Sequence, residues 1–173
     1  MIRVGLETLV MGNIPGASVM VLRPVPQEGE RDQVLPICIG PVEAAAIAKA
    51  LSGDPSSRPM THSLLCTVMG TLGGKLKRIV ITRVKGTIFY ASLHIKQGDT
   101  TTKVDARPSD AVALAVRLHV PMYVADRVFA QASFPAWVNT SSAQQQAELE
   151  EFHTFVEGLE PEDFVINEGG AQG

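Results

Sequence analysis

Hydrophobic and polar positions along the chain recur with two different periods, and each change of period marks the end of an element. "MIRVGLETLVMG" and "ASVMVLRPV" are rich in aliphatic and β-branched residues and are separated by the turn-forming "GNIPG". That spacing predicts an N-terminal hairpin or meander. After the charged turn "QEGERD", the run "QVLPICIG" is apolar at its end and reads as a third strand, central in its sheet. Gly40-Pro41 then switches the period to a helical one. In "PVEAAAIAKAL", Val42, Ala45, Ala46, Ile47, Ala50 and Leu51 share one broad face, Pro41 takes a first-turn position and Gly53 follows the end. "THSLLCTVMGTLGG" predicts a second helix, with Thr61 as N-cap and Gly73-Gly74 as the stop.

The longest strand-like stretch, "KLKRIVITRVKGTIFYASLHIKQGDTTTKVDA", predicts three antiparallel strands joined at Lys85-Gly86 and at Gln97-Gly98-Asp99. "RPSDAVALAVRLH" is a third helix, "VPMYVAD" a short buried strand and "RVFAQA" one more helical turn. "SFPAWVNTSS" reads as a connector. "AQQQAELEEFHTFVEGLEPEDF" reads as an amphipathic helix with Leu149, Phe152, Phe155, Val156 and Leu159 on its apolar side. Strands with helices inserted, hairpins and a single crossover predict an α+β fold, with a mixed, largely antiparallel sheet packed by helices. The expected organisation is one domain over residues 1–131, a connector and C-terminal helix over 132–165, and a disordered tail over 166–173.

Composition narrows the function more than the fold. The formal net charge is -3, so the chain lacks the basic excess of a general nucleic-acid binder, and such contact requires a local basic patch or a metal ion. Aromatic residues are only 5%, which leaves an aliphatic core. Cys38 and Cys66 sit in apolar runs without metal-ligand spacing and read as buried thiols of a reducing compartment. The N-terminus has no signal-peptide pattern and no run reaches membrane-spanning length, so the protein reads as cytoplasmic, without membrane contact.

Candidate chemistry gathers where strands give way to helices. Asp105 and Asp110, in "DARPSD", form a divalent-ion pair in one reading; in the other Asp105 closes a strand and Asp110 complements a helix dipole. Arg107 is either a phosphate clamp or the partner of Asp105, Asp110 or Glu43. Glu43, in the first turn of its helix, is either a third metal ligand or a dipole partner. Arg58, Thr61 and His62 open the second helix, where an anion is favoured and a histidine can act as general acid or base; the plainer alternative is a threonine cap and a packed histidine. His94, His119 and His153 stand alone in the sequence. Lys75, Lys77, Arg78, Arg83 and Lys85 form either a phosphate-binding stripe or a solvated strand that resists edge pairing. No nucleophile elbow, HExxH or P-loop occurs.

Taken in order, "LPICIGPVEAAAIAKAL", "RPMTHSLL", "LKRIVITRVKGTIFYASLHI", "VDARPSDAVALAVRLHVPMYV" and "EEFHTFVEGLEPEDF" resemble the bifunctional nuclease domain family of bacteria and plants. The resemblance implies a self-associating α+β domain, at least a dimer, and cleavage of DNA and RNA. Its polar signature falls on Glu43, Arg58, Thr61, His62, Asp105, Arg107, Ser109 and Asp110. Ser63 stands where family members carry an aspartate, and Cys38 where they often carry a tryptophan. Two functions follow as expectations. The first is a nuclease of low sequence specificity. In it, Asp105, Asp110 and Glu43 hold Mg²⁺ or Mn²⁺, His62 shuttles a proton, Arg107 stabilises phosphorane charge, and Arg58, Thr61, Lys77 and Arg78 bind phosphate, with no organic cofactor. The second is a non-catalytic oligomeric module that binds a small anion or a protein partner.

Overall fold

A computed structural model describes residues 1–11, 18–25, 33–53 and 57–136 of the 173. The expected C-terminal helix, its tail and His153 lie outside them. The first compact unit runs from Met1 to Ala136. Within it the elements are β1 (Ile2–Met11), β2 (Ser18–Pro24), β3 (Gln33–Ile39), α1 (Pro41–Ser52), α2 (Thr61–Thr71), β4 (Lys75–Lys85), β5 (Ile88–Gln97), β6 (Thr100–Ala106), α3 (Pro108–Leu118), β7 (Met122–Val124), α4 (Asp126–Ala132) and β8 (Phe134–Pro135). The fold is α+β. Its sheet runs in the order β6-β5-β4-β7-β1-β2-β3-β8. Every described pairing is antiparallel except β4 with β7.

That parallel pair sits mid-sheet, where both edges are covered by neighbours, and it joins the N-terminal meander to the β4–β6 meander. β3 is not central: it lies next to the end of the sheet, with two-residue β8 beyond it. An apolar run marks burial on a face, not rank within a sheet. Leu35 and Ile37 are buried while Cys38, one step on, is exposed, because successive side chains alternate sides. Cys66 is half-buried, so neither thiol is fully enclosed.

The core collects one side of each strand. Val4, Met20, Leu22, Ile37, Ile79, Ile81, Leu93 and Val124 pack with Ile47 of α1, Ala111–Ala115 of α3 and Phe129 of α4. Ala111, Ala113 and Ala115 alternate with Val112 and Leu114 and all five are buried, so α3 packs on the sheet with nearly its whole first half enclosed. α1 begins with Pro41 and ends at Gly53, whose φ of 64° is a left-handed stop that glycine adopts without penalty. α3 likewise begins with Pro108, and His119 closes it at φ 53°. α2 is different. It has no buried residue, and Leu64, Leu65, Val68 and Leu72 are exposed. Thr61 does not cap it; Met60 does so with backbone alone. No helix among the described residues is long and apolar enough to cross a membrane.

Candidate active site

Three helices bring their first turns together. Glu43 is the third residue of α1, His62 the second of α2 and Asp110 the third of α3, with Arg107 at the N-cap of α3. Pro108 holds the residue before it in extended geometry, and Arg107 has φ -69° and ψ 148°. That conformation turns its side chain across the helix entrance. Arg107 Nε donates to Asp110 Oδ2 at 2.8 Å and Nη2 donates to Asp110 Oδ1 at 3.2 Å, a two-pronged grip. Nη1 donates to Glu43 Oε1 at 2.9 Å. On the other side, His62 Nε2 lies 3.0 Å from Asp110 Oδ1. A carboxylate only accepts, so Nε2 carries the hydrogen and Nδ1 is left to take a proton when the ring is neutral.

The result is a continuous chain of contacts, Glu43–Arg107–Asp110–His62. Its electrostatics follow from the partners. The Arg107 hydrogen bonds, then that of His62, outweigh partial burial and hold the Asp110 carboxyl below its ordinary range. Arg107 is raised by the hydrogen bonds of Asp110 and then Glu43. The carboxylates also sit at helix N-termini, where the unsatisfied amides favour negative charge. Three of the five guanidinium N–H groups are engaged by carboxylates, which leaves two for a phosphate oxygen.

Gly40, which the sequence marks only as the point where the period changes, supports this arrangement. A Cβ at Gly40 would collide with Glu43 Oε2. The helix-preceding glycine therefore leaves room for the Glu43 carboxylate that meets Arg107. The signal was present in "GPVE", as a glycine three residues before a first-turn acid, but its meaning depends on where the Glu43 side chain folds.

The other expected residues are placed elsewhere. Asp105 pairs across the strands with Ser92, whose hydroxyl lies 3.3 Å from His94 Nε2 on the side of the sheet away from the core. Its carboxylate therefore faces away from Glu43 and Asp110. The strand's two-residue period puts Ala106, not Asp105, on the core side. Among the described residues no three His, Cys, Asp or Glu side chains converge as metal ligands. Arg107 already bridges Glu43 and Asp110, so the trio Asp105, Asp110 and Glu43 does not fit Mg²⁺ or Mn²⁺ as arranged here. Arg58 and Thr61 are exposed near the start of α2 and make no described contact with the cluster. Arg78 packs against Tyr123 and His94 instead, and Lys77 is exposed at a β-bulge. Ser109 is buried beneath the turn, and Ser63 gives its carbonyl to the Thr67 hydroxyl.

A model of the bifunctional nuclease domain matches residues 22–137, which includes every residue of the cluster. An uncharacterized protein of Mycobacterium tuberculosis (strain H37Rv) is 37% identical over 164 residues, covering 89% of this chain and 98% of that protein. Bifunctional nuclease 2 of Arabidopsis thaliana is 28% identical over 119 residues, covering 65% of this chain and 35% of the plant protein. Bifunctional nuclease 1 of Oryza sativa subsp. indica is 25% identical over 104 residues, 58% of this chain and 31% of that protein. The chain thus spans about a third of the plant proteins it matches. The chain belongs to the bifunctional nuclease domain family.

Proposed function

We propose that the protein hydrolyses phosphodiester bonds of DNA and RNA at the Glu43–Arg107–Asp110–His62 cluster, with little sequence preference. The observation that carries this reading is the His62–Asp110 contact at 3.0 Å, in a chain of this family. Asp110 fixes the ring so that Nδ1 accepts a proton from the attacking water. The water oxygen bonds to phosphorus, the bond from phosphorus to the leaving sugar oxygen breaks, and solvent protonates that oxygen. The two remaining Arg107 N–H groups and the helix-terminal amides stabilise charge on the phosphorane oxygens. No step is assigned to a divalent ion, because the carboxylates expected to hold one are turned apart or occupied by Arg107.

The test is cleavage of labelled single-stranded DNA and RNA by purified protein with Mg²⁺, Mn²⁺ or EDTA, beside His62→Gln and Asp110→Asn proteins prepared identically. Cleavage that survives EDTA and is lost in both folded variants is the expected result. Cleavage that EDTA abolishes would require a metal held by residues other than these. Equal cleavage by all three proteins, or none, favours the non-catalytic module, a reading that Arg107's double engagement by carboxylates supports.

The homo-oligomer is part of the same proposal. α2 contains no Asp, Glu, Lys or Arg; it exposes Leu64, Leu65 and Val68, and its C-cap Leu72 is exposed as well. An exposed apolar face of this kind fits a second copy of the chain. Val68→Glu is expected to convert the oligomer to monomer in sedimentation analysis; an unchanged sedimentation coefficient refutes α2 as the interface.

A further inference from the structure

The side of the sheet turned away from the core carries an unbalanced charge. Strand register places Lys75 directly opposite Lys96. One step along, Arg78 stands opposite His94, and His94 opposite Lys103, so a single row crosses β4, β5 and β6. Like charges directly opposite one another destabilise a sheet, and among the described residues no carboxylate pairs with any of these cations. Arg3, opposite Tyr123 on β7, and Arg83 extend the set. The acidic residue in these rows is Asp105. A protein of net charge -3 has therefore concentrated cations on one face.

Both tyrosines of the chain lie on this face, and each is covered by an arginine. Arg83 lies 3.8 Å from the Tyr90 ring centre and Arg78 lies 5.9 Å from that of Tyr123. Buried His94 makes the second arrangement rigid. Its Nδ1 accepts from Arg78 Nε at 3.4 Å, which leaves Nε2 as the donor toward Ser92 Oγ. A guanidinium stacked on an aromatic ring presents a flat, cationic surface. Such surfaces stack unpaired bases while neighbouring lysines follow the phosphates.

We propose that this face, built on β4, β5, β6 and β7, binds single-stranded nucleic acid, with Lys75, Lys96 and Lys103 on the phosphates and the Arg78–Tyr123 and Arg83–Tyr90 stacks under the bases. A face of roughly 20 by 30 Å, from strand spacing and rise, accommodates several nucleotides. A flat sheet suits splayed bases, whereas a duplex hides its bases and offers this surface phosphates alone. The assignment shares a substrate class with the proposed nuclease but uses none of its catalytic residues, so binding and cleavage succeed or fail separately.

The test is fluorescence anisotropy of a labelled 20-nucleotide single strand in EDTA across a salt series, with the matching duplex and phosphatidylserine vesicles as competitors. The proteins are wild type, Lys96→Glu/Lys103→Glu, and Lys49→Glu as a control of charge on α1, with circular dichroism to verify folding. Expected is at least tenfold weaker binding by the double variant and a log–log salt slope shallower by about 1.4, from roughly 0.7 per phosphate contact, with Lys49→Glu within twofold of wild type. Three results overturn the proposal: wild-type affinity in the folded double variant, tighter binding of the duplex, or displacement of the strand by vesicles. Absence of cleavage by the wild-type protein with this binding intact would count against the catalytic cluster alone. Intact cleavage with binding unchanged by the double variant would count against this face alone.

Discussion

On the core side of the sheet, each charged group of the Glu43–Arg107–Asp110–His62 cluster has a partner of opposite or complementary character within 3.2 Å. On the far side, Lys75 faces Lys96, and a row runs from Arg78 through His94 to Lys103. The first arrangement resolves its charges internally and holds groups in fixed orientation, as a site for chemistry requires. The second leaves charge unresolved at some cost to stability, which a polyanion would relieve. Helix entrances thus carry the first arrangement and strands the second, and the sheet lies between the two.

Replacing the proton-handling pair should produce the largest effect. His62→Gln and Asp110→Asn are each expected to lower the cleavage rate by about 10²–10⁴-fold, measured as initial rates on single-stranded substrate. Single-strand affinity should stay near wild type. If affinity falls in step with rate, the two faces are not independent and the contrast fails.

Arg107→Ala tests whether the cluster is held together by its cation. The side chain is largely exposed, which limits its worth, so the expected loss is about 1–2 kcal/mol in urea denaturation. The acid profile supplies an independent check. Asp110 has a depressed pKa when folded, so its contribution is full above its unfolded value and is lost as pH falls through the lower folded one. The stability gap between wild type and Asp110→Asn should therefore be constant from neutrality to about pH 4 and close below it. His94 on the far face acts at higher pH. Burial, then Arg78 and Lys103, lower its pKa. Protonation of the unfolded chain then favours unfolding as pH falls below about 6.5. His94→Gln should flatten the stability profile in that window and leave the more acidic window unchanged.

Smaller effects sharpen the same contrast. Gly40→Ala should push the Glu43 carboxylate off Arg107 and cost about 0.5–1 kcal/mol, with a severalfold loss of cleavage. Lys96→Gln should do the reverse on the far face, stabilising the protein by about 0.2–0.5 kcal/mol at low salt by removing a like-charge pair. That gain should shrink as salt rises. A destabilised Lys96→Gln protein would mean that the lysines are not in conflict.

Local pattern made much of the architecture legible. Pro41 and Gly53 framed α1, Pro108 opened α3, and Gly86 and Gly98 marked the turns of the β4–β6 meander with φ of 57° and 56°. These signals are intrinsic to single residues, because proline fixes φ and glycine tolerates positive φ wherever they occur. The polar residues worth attention were legible too, since "PVE", "THS" and "ARPSD" all lie at helix entrances. Their partnerships were not. Whether Asp105 or Ala106 faces the core depends on strand register. Whether Arg107 meets phosphate or carboxylate depends on where α1 ends up relative to α3. His94 stands alone in the sequence and between two cations in the sheet.

The sequence by itself determined the elements, their order, the α+β class and a short roster of chemically able residues, because capping, turn and period preferences act over a few neighbours. Tertiary structure decided which of those residues meet. The parallel joining of β4 to β7, the meeting of three helix N-termini and the gathering of Lys75, Lys96 and Lys103 on one face of the sheet rest on contacts between residues far apart in the chain, such as Glu43 with Arg107 and His62 with Asp110. No local preference encodes such a contact. It exists only once the core has closed and fixed the register of every strand.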